Sequence, residues 1–210
     1  MQRLIKQWRA GKADISPSKP RARALSAATH ILLREGYARL TMERVASESG
    51  IAKTTLYRHW PTKAALCMDL YIDVAGRELR DPDTGDVAGD LKYIGNTVVR
   101  LQTQTVAGPA FIGLIAEAQV NPETRAAFLA EFAERRREVT RLVLRRAIDR
   151  GQLRADTDVD LVIDALGGAV TFRLLQGHAP LTPKFVAALV TLALSGCASG
   201  AKPEKRKSLR

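Results

Sequence analysis

Six polar side chains crowd one short stretch of the chain. Lys53, Thr54, Thr55, Tyr57, Arg58 and His59 surround a single Leu56, and no carboxylate falls between positions 53 and 59. Each of the six donates hydrogen bonds or both donates and accepts them. A surface of donors free of acid suits recognition of an anionic groove and does not suggest bond-making chemistry. Reactive residue types elsewhere are scattered. His30, His59 and His178 lie far apart, and none has a His, Asp or Glu companion at i, i+4, so no metal site is expected. Cys67 and Cys197 lack metal-ligand or redox spacing, which suits a reducing compartment. No G-x-S-x-G, Walker-type loop or dinucleotide fingerprint occurs, and spacing brings no nucleophile to a base. The chain therefore reads as a non-enzyme with no cofactor.

The elements that must position this stretch carry their own signals. The chain has 210 residues and 23.0 kDa, enough to bury a core, with 46% hydrophobic and 26% charged residues, as in ordinary globular proteins. Its longest apolar stretch, Leu161 to Leu175, is interrupted by Asp164 and Arg173 and falls short of the roughly 18 to 20 residues of a membrane span. Residues 1–19 show no export signal, so a cytoplasmic protein without a membrane partner is expected. The formal charge of +11 is uneven. Residues 1–63 carry 13 Lys and Arg against 4 Asp and Glu, residues 64–201 carry 15 against 17, and residues 202–210 carry 5 against 1. A basic first third on a near-neutral body is the footprint of a nucleic-acid-binding module, although a solvated basic face or an anionic-membrane binder has the same arithmetic.

Punctuation and period predict an all-α fold of about nine helices with no strand. Pro20 opens a helix along Leu25, Ala28 and Leu32 that Gly36 stops. Two short helices follow, from Thr41 to near Ser49 and from about Lys53 to His59. Thr62 caps a longer one toward Arg80, ended by the loop from Asp81 to Gly85. Val87, Leu91, Ile94, Val98 and Leu101 make the clearest amphipathic stripe, which Gly108 and Pro109 break. Asn121-Pro122-Glu123 starts a helix reaching Arg150, Asp156 or Thr157 starts the next, and Thr182-Pro183 opens the last, closed near Gly196. Arg135, Arg136, Arg137, Arg141, Arg145, Arg146 and Arg150 are expected on a solvated face, ion-paired with Glu131, Glu134 and Glu138. The organisation expected is a basic, disordered arm over 1–19, a DNA-binding head over 20–65, a body over 66–196 and a basic, disordered tail over 197–210.

Residues 41–60, TMERVASESGIAKTTLYRHW, place two short helices around Gly50, which is helix-turn-helix geometry. Val45, Ala46, Ile51 and Leu56 are spaced to meet between them. An αα-corner whose polar face merely meets water is the bland alternative. From about Ala24 to Leu70 the chain resembles the DNA-binding domain of the tetracycline-repressor (TetR) family, through Gly36-Tyr37, Leu40-Thr41, Val45-Ala46, Gly50-Ile51, Thr55-Leu56-Tyr57, His59-Trp60-Pro61-Thr62-Lys63 and Leu66. That resemblance implies a homodimeric transcription regulator, most often a repressor, released from a palindromic double-stranded DNA operator by a small molecule. Carried over by position, Lys53, Thr54 and Thr55 contact base edges or the groove. Tyr57, His59, Lys63 and Thr41 hold phosphates, and Arg58 lies on the same exposed face. Arg21 and Arg23 are near enough to meet phosphates too, and Trp60 is expected beneath the head. An effector-free DNA-compacting protein is the alternative.

The body is expected to offer an effector site among Tyr71, Tyr93, Phe111, Leu114, Phe128 and Phe132, with Gln102, Glu117 and Gln119 as polar anchors. Such a lining favours a hydrophobic or amphipathic small molecule, and ordinary core packing is the alternative for any one residue. The helix from Leu161 to Leu175 is apolar nearly all round. Leu166, Val170 and Leu174, with Val186, Leu189 and Val190 of the last helix, are expected to form a four-helix dimer interface.

Overall fold

The structure is a computed structural model that describes residues 19–196. The arm before it and the tail after it, expected to be disordered, lie outside the described residues. Among the described residues nine helices follow one another with no strand. They are α1 (Lys19–Glu35), α2 (Met42–Ser49), α3 (Lys53–His59), α4 (Lys63–Glu78), α5 (Val87–Gln104), α6 (Ala107–Val120), α7, α8 (Val159–Gln176) and α9 (Pro183–Ser195). A 3-10 turn, Tyr37–Arg39, joins α1 to α2, and α7 runs through Pro122–Ala127, a π-turn at Phe128–Ala133 and Glu134–Asp149.

Local chemistry sets most of these boundaries. The side chains of Thr41, Thr62, Asn121, Asp158 and Thr182 each accept a backbone N–H from the first turn of the helix that follows. Three boundaries differ from expectation. The break between α5 and α6 comes before Gly108 and Pro109, which sit in the first turn of α6, where a missing N–H costs nothing. Thr105 Oγ1 accepts from Ala107 N at that start. Asp158, and not Asp156 or Thr157, caps α8. The π-turn inside α7 has no signature in the sequence.

The chain forms two compact units. One holds residues 19–81 together with Thr97–Glu138. Its core joins Ala24, Ala28, Ile31 and Leu32 of α1 to Val45, Leu56, Leu66, Leu70, Phe111 and Leu114. The largest helix pairing is α4 against α6, and α1 packs on α2, α4 and α6. The other unit holds Pro82–Asn96 and residues 139–196, with α8 packed on α9. Its loop before α5 is pinned by α7 and its end: Arg146 Nη2 donates to Pro82 O at 2.7 Å, Arg150 pairs with Asp83 at 2.6 Å, and Gln152 Nε2 donates to Gly85 O at 2.7 Å. These arginines, with Arg141 on Asp160 at 2.8 Å, find aspartates distant in sequence as partners. No helix among the described residues is long and apolar enough to cross a membrane.

Candidate nucleic-acid interface

The head is built around a tight turn. Gly50 adopts φ 62° and ψ 30°, the left-handed region where a Cβ is penalised, and its N–H bonds Ala46 O to close α2. Val45, Ala46, Ile51 and Leu56 are buried between α2 and α3 as expected. Burial of Leu56 turns the rest of α3 outward: Lys53, Thr54, Tyr57, Arg58 and His59 are exposed and Thr55 is half-buried. Trp60 is buried, and its Nε1 donates to Asp69 Oδ2 at 3.0 Å, so this ring anchors the head.

Charged residues around that face are mostly committed. Arg44 binds both carboxylate oxygens of Glu35, at 2.6 and 2.7 Å, and this hydrogen-bonded guanidinium holds Glu35 below the usual carboxylate range. Tyr57 donates its hydroxyl to Glu43 Oε1 at 3.1 Å, which pushes the phenol up. Thr41 Oγ1 accepts from Arg44 N as the α2 cap, and the same side chain hydrogen-bonds the Glu43 carboxylate. Arg21 and Arg23 depart from expectation. Arg21 binds Asp69 at 2.7 Å and Asp73 at 3.0 Å, clasping α1 to α4, and Arg23 donates to Ser49 O at the end of α2. Both guanidinium groups hold the head together, a task their sequence positions did not reveal.

Lys63, half-buried at the first residue of α4, meets Glu117 of α6 at 3.4 Å. The same carboxylate accepts Tyr37 Oη at 3.0 Å and Thr124 Oγ1 at 3.1 Å, and the Lys63 ammonium lies 4.5 Å from the Tyr37 ring centroid. Tyr37 fits because Gly113 of α6 has no side chain; a Cβ there would collide with the ring. Burial pushes the neighbouring Cys67 thiol up to about 12 and keeps it protonated. Glu117, expected to anchor an effector, is thus held by Tyr37, Lys63 and Thr124.

Of the expected effector-site residues, Tyr71, Phe111, Phe128 and Phe132 are brought into ring contact. Tyr71, Phe111, Leu114 and Phe132 are all buried, with Tyr71 and Phe132 edge to face at 4.9 Å and Phe128 5.2 Å from Phe132. Arg136 closes this cluster, its guanidinium 4.1 Å from the Phe111 centroid. Sequence reading assigned Arg136 to the solvated face, although Phe132 stands one turn before it. Gln102 is buried, with no hydrogen-bond partner in the protein for either amide atom. Tyr93 lies in the other unit and is 39% exposed.

On α8 and α9, Val170, Val186 and Val190 are already buried within the single chain, while Leu166, Leu174 and Leu189 are half-buried. The three valines face the chain's own core and are unavailable to a partner. The apolar groups left open are Leu161, Phe172, Leu175 and Leu192. An all-round apolar helix does not declare which of its sides is covered.

An all-α body carrying a helix-turn-helix head defines a helix-turn-helix regulator. Residues 24–69 match the family model for bacterial regulatory proteins of the tetR family, and residues 81–193 match that of the tetracyclin repressor-like C-terminal domain. An uncharacterized HTH-type transcriptional regulator of Mycobacterium tuberculosis is 33% identical over 84% of this chain and 87% of its own. The DNA-binding transcriptional repressor TetR of Mycobacteroides abscessus is 30% identical over 80% of this chain and 88% of its own. The crystal structure of the TetR family transcription regulator SCO0332 shares 41% identity, covering 85% of this chain and 98% of that one with a TM-score of 0.74. The chain belongs to the TetR family of bacterial transcription regulators, and the kinship extends from the head through the body.

Proposed function

We propose that this protein is a repressor that binds a palindromic operator as a homodimer and is released by a hydrophobic or amphipathic small molecule. The observation that carries the reading is α3, whose exposed side chains are donors with no acid among them. Lys53, Thr54 and Thr55 at its start contact base edges, where a helix entering the major groove brings its first residues. Tyr57, Arg58, His59, Lys63 and the Thr41 hydroxyl position the head on phosphates. The cluster of Tyr71, Phe111, Leu114, Phe128 and Phe132 and the buried amide of Gln102 support an effector site of mostly apolar lining, which opens to admit its ligand. Leu161, Phe172, Leu175 and Leu192 support pairing of α8 and α9 with a second copy.

Selection of duplexes from a random pool by the purified protein, followed by footprinting, tests this function. The expected result is a two-fold-symmetric sequence bound far more tightly than the unselected pool. Affinity independent of sequence and steeply dependent on salt would instead favour a DNA-compacting protein. Release of the selected duplex by an apolar compound that also raises the Tm tests the effector arm.

A further inference from the structure

We propose that Glu117 sets the DNA affinity of the head by competing with a DNA phosphate for Lys63. The inference rests on the reading that Lys63 meets the DNA backbone. Three elements converge on this carboxylate: Tyr37 from the turn after α1, Lys63 from the start of α4 and Thr124 from the start of α7. Two of the three partners are neutral hydroxyls, one on each oxygen, so they hold Glu117 in place whether or not the ammonium is present. Lys63 is different. It is a compact point charge on a flexible stem, 31% exposed, joined to Glu117 by an ion pair at 3.4 Å. A pair so partly exposed is weak and readily exchanged for a phosphate at little cost. The carboxylate it leaves behind stays hydrogen-bonded but loses the Lys63 ammonium, and that loss is what opposes the exchange.

Glu117 also shares a rigid element with the aromatic cluster. Phe111 and Leu114 precede it on α6, and Gly113 between them presses that helix against Tyr37. Glu117 is a positioning residue that acts through Lys63.

The test is a double-mutant cycle on the full chain, with the duplex selected above and a fixed random-sequence duplex as probes. Glu117→Gln keeps the shape of the side chain and one acceptor oxygen and removes its charge, while its amide nitrogen can only donate to the second hydroxyl oxygen. It is expected to tighten binding about two- to five-fold, the range for loss of a weak competing ion pair. Lys63→Ala is expected to weaken binding and lower the salt slope by about one. In the Lys63→Ala background Glu117→Gln should have no effect. A gain of equal size there would mean general charge removal and overturn the proposal, as would unchanged or weaker binding by a Glu117→Gln protein of native circular dichroism. Should that variant fail to fold, Glu117→Asp retracts the charge by one methylene and must give a smaller gain that also depends on Lys63; no gain overturns the proposal. If the pool yields no preferred sequence, the operator reading fails, while the same cycle on the random duplex still decides the exchange.

Discussion

At the scale of single residues, what separates base reading from anchoring is where each cation stands. Lys53 opens α3 on its exposed face, where its ammonium can reach a base edge. Lys53→Ala should therefore relax base preference, costing about 1 to 3 kcal/mol on the selected duplex and much less on random DNA; quantitative competition binding measures both, and equal losses would make Lys53 a phosphate contact. Glu35 and Arg44 give a second prediction. The folded protein holds the Glu35 carboxyl below its usual range through Arg44, so the pair's contribution is present above about pH 4.3, the unfolded value, and is lost as pH falls through the folded one. Glu35→Gln should lower the Tm slightly at neutral pH, and melting curves of the two proteins should converge as the pH falls through the folded value. The residue chemistry of α3 was legible in the sequence because it is local: seven consecutive positions, Lys53–His59, contain the whole pattern. The partners of Arg21, Lys63 and Arg136 were not. Asp69, Glu117 and Phe111 reach them only through tertiary packing, and charge counted along a chain does not say which charges meet.

Between elements, capping chemistry proved easier to read than packing. Thr41, Thr62 and Thr182 mark helix starts because a threonine hydroxyl can satisfy an orphan N–H from its own sequence neighbourhood. Asp158 won over Asp156 for the same physical reason, by reaching Leu161 N at 3.0 Å, and three nearby candidates in one short loop cannot be ranked from spacing alone. The π-turn at Phe128–Ala133 has no local signature in the sequence. The contact of α6 with the head depends on one missing side chain. At Gly113 an alanine methyl would collide with the Tyr37 ring, and buried over-packing costs about 1 to 3 kcal/mol. Gly113→Ala should lower the Tm by several degrees while leaving helical content near native, as read by circular dichroism. Gly113→Ala with an unaltered Tm would mean that Tyr37 gives way freely and that α6 does not brace the head.

For the whole molecule, the decisive question is what covers α8 and α9. Leu161 is 64% exposed, Phe172 59%, Leu175 45% and Leu192 72%, a concentration of large apolar groups that solvent tolerates poorly on two adjacent helices. Burying such groups contributes about 25 cal/mol for each Å² of apolar surface removed from water, so pairing with a second copy gives α8 and α9 a reason to be apolar beyond their own core. The valines at 170, 186 and 190 serve that core, which is why the interface is expected on the opposite side of each helix. Two-fold pairing also has a functional consequence. It would present two heads to half-sites one or more helical turns apart and convert two weak contacts into one effectively intramolecular event. Phe172→Glu places a charge in the middle of the exposed face without disturbing the buried valines. Sedimentation velocity at micromolar concentration should show a dimer for the unaltered chain and a monomer for this variant, with affinity for the selected duplex falling by a factor of at least about one hundred as the linkage between heads is lost. A variant that stays dimeric would move the interface off this face. An unaltered chain that sediments as a monomer would remove the dimer, and with it the physical basis for a palindromic site.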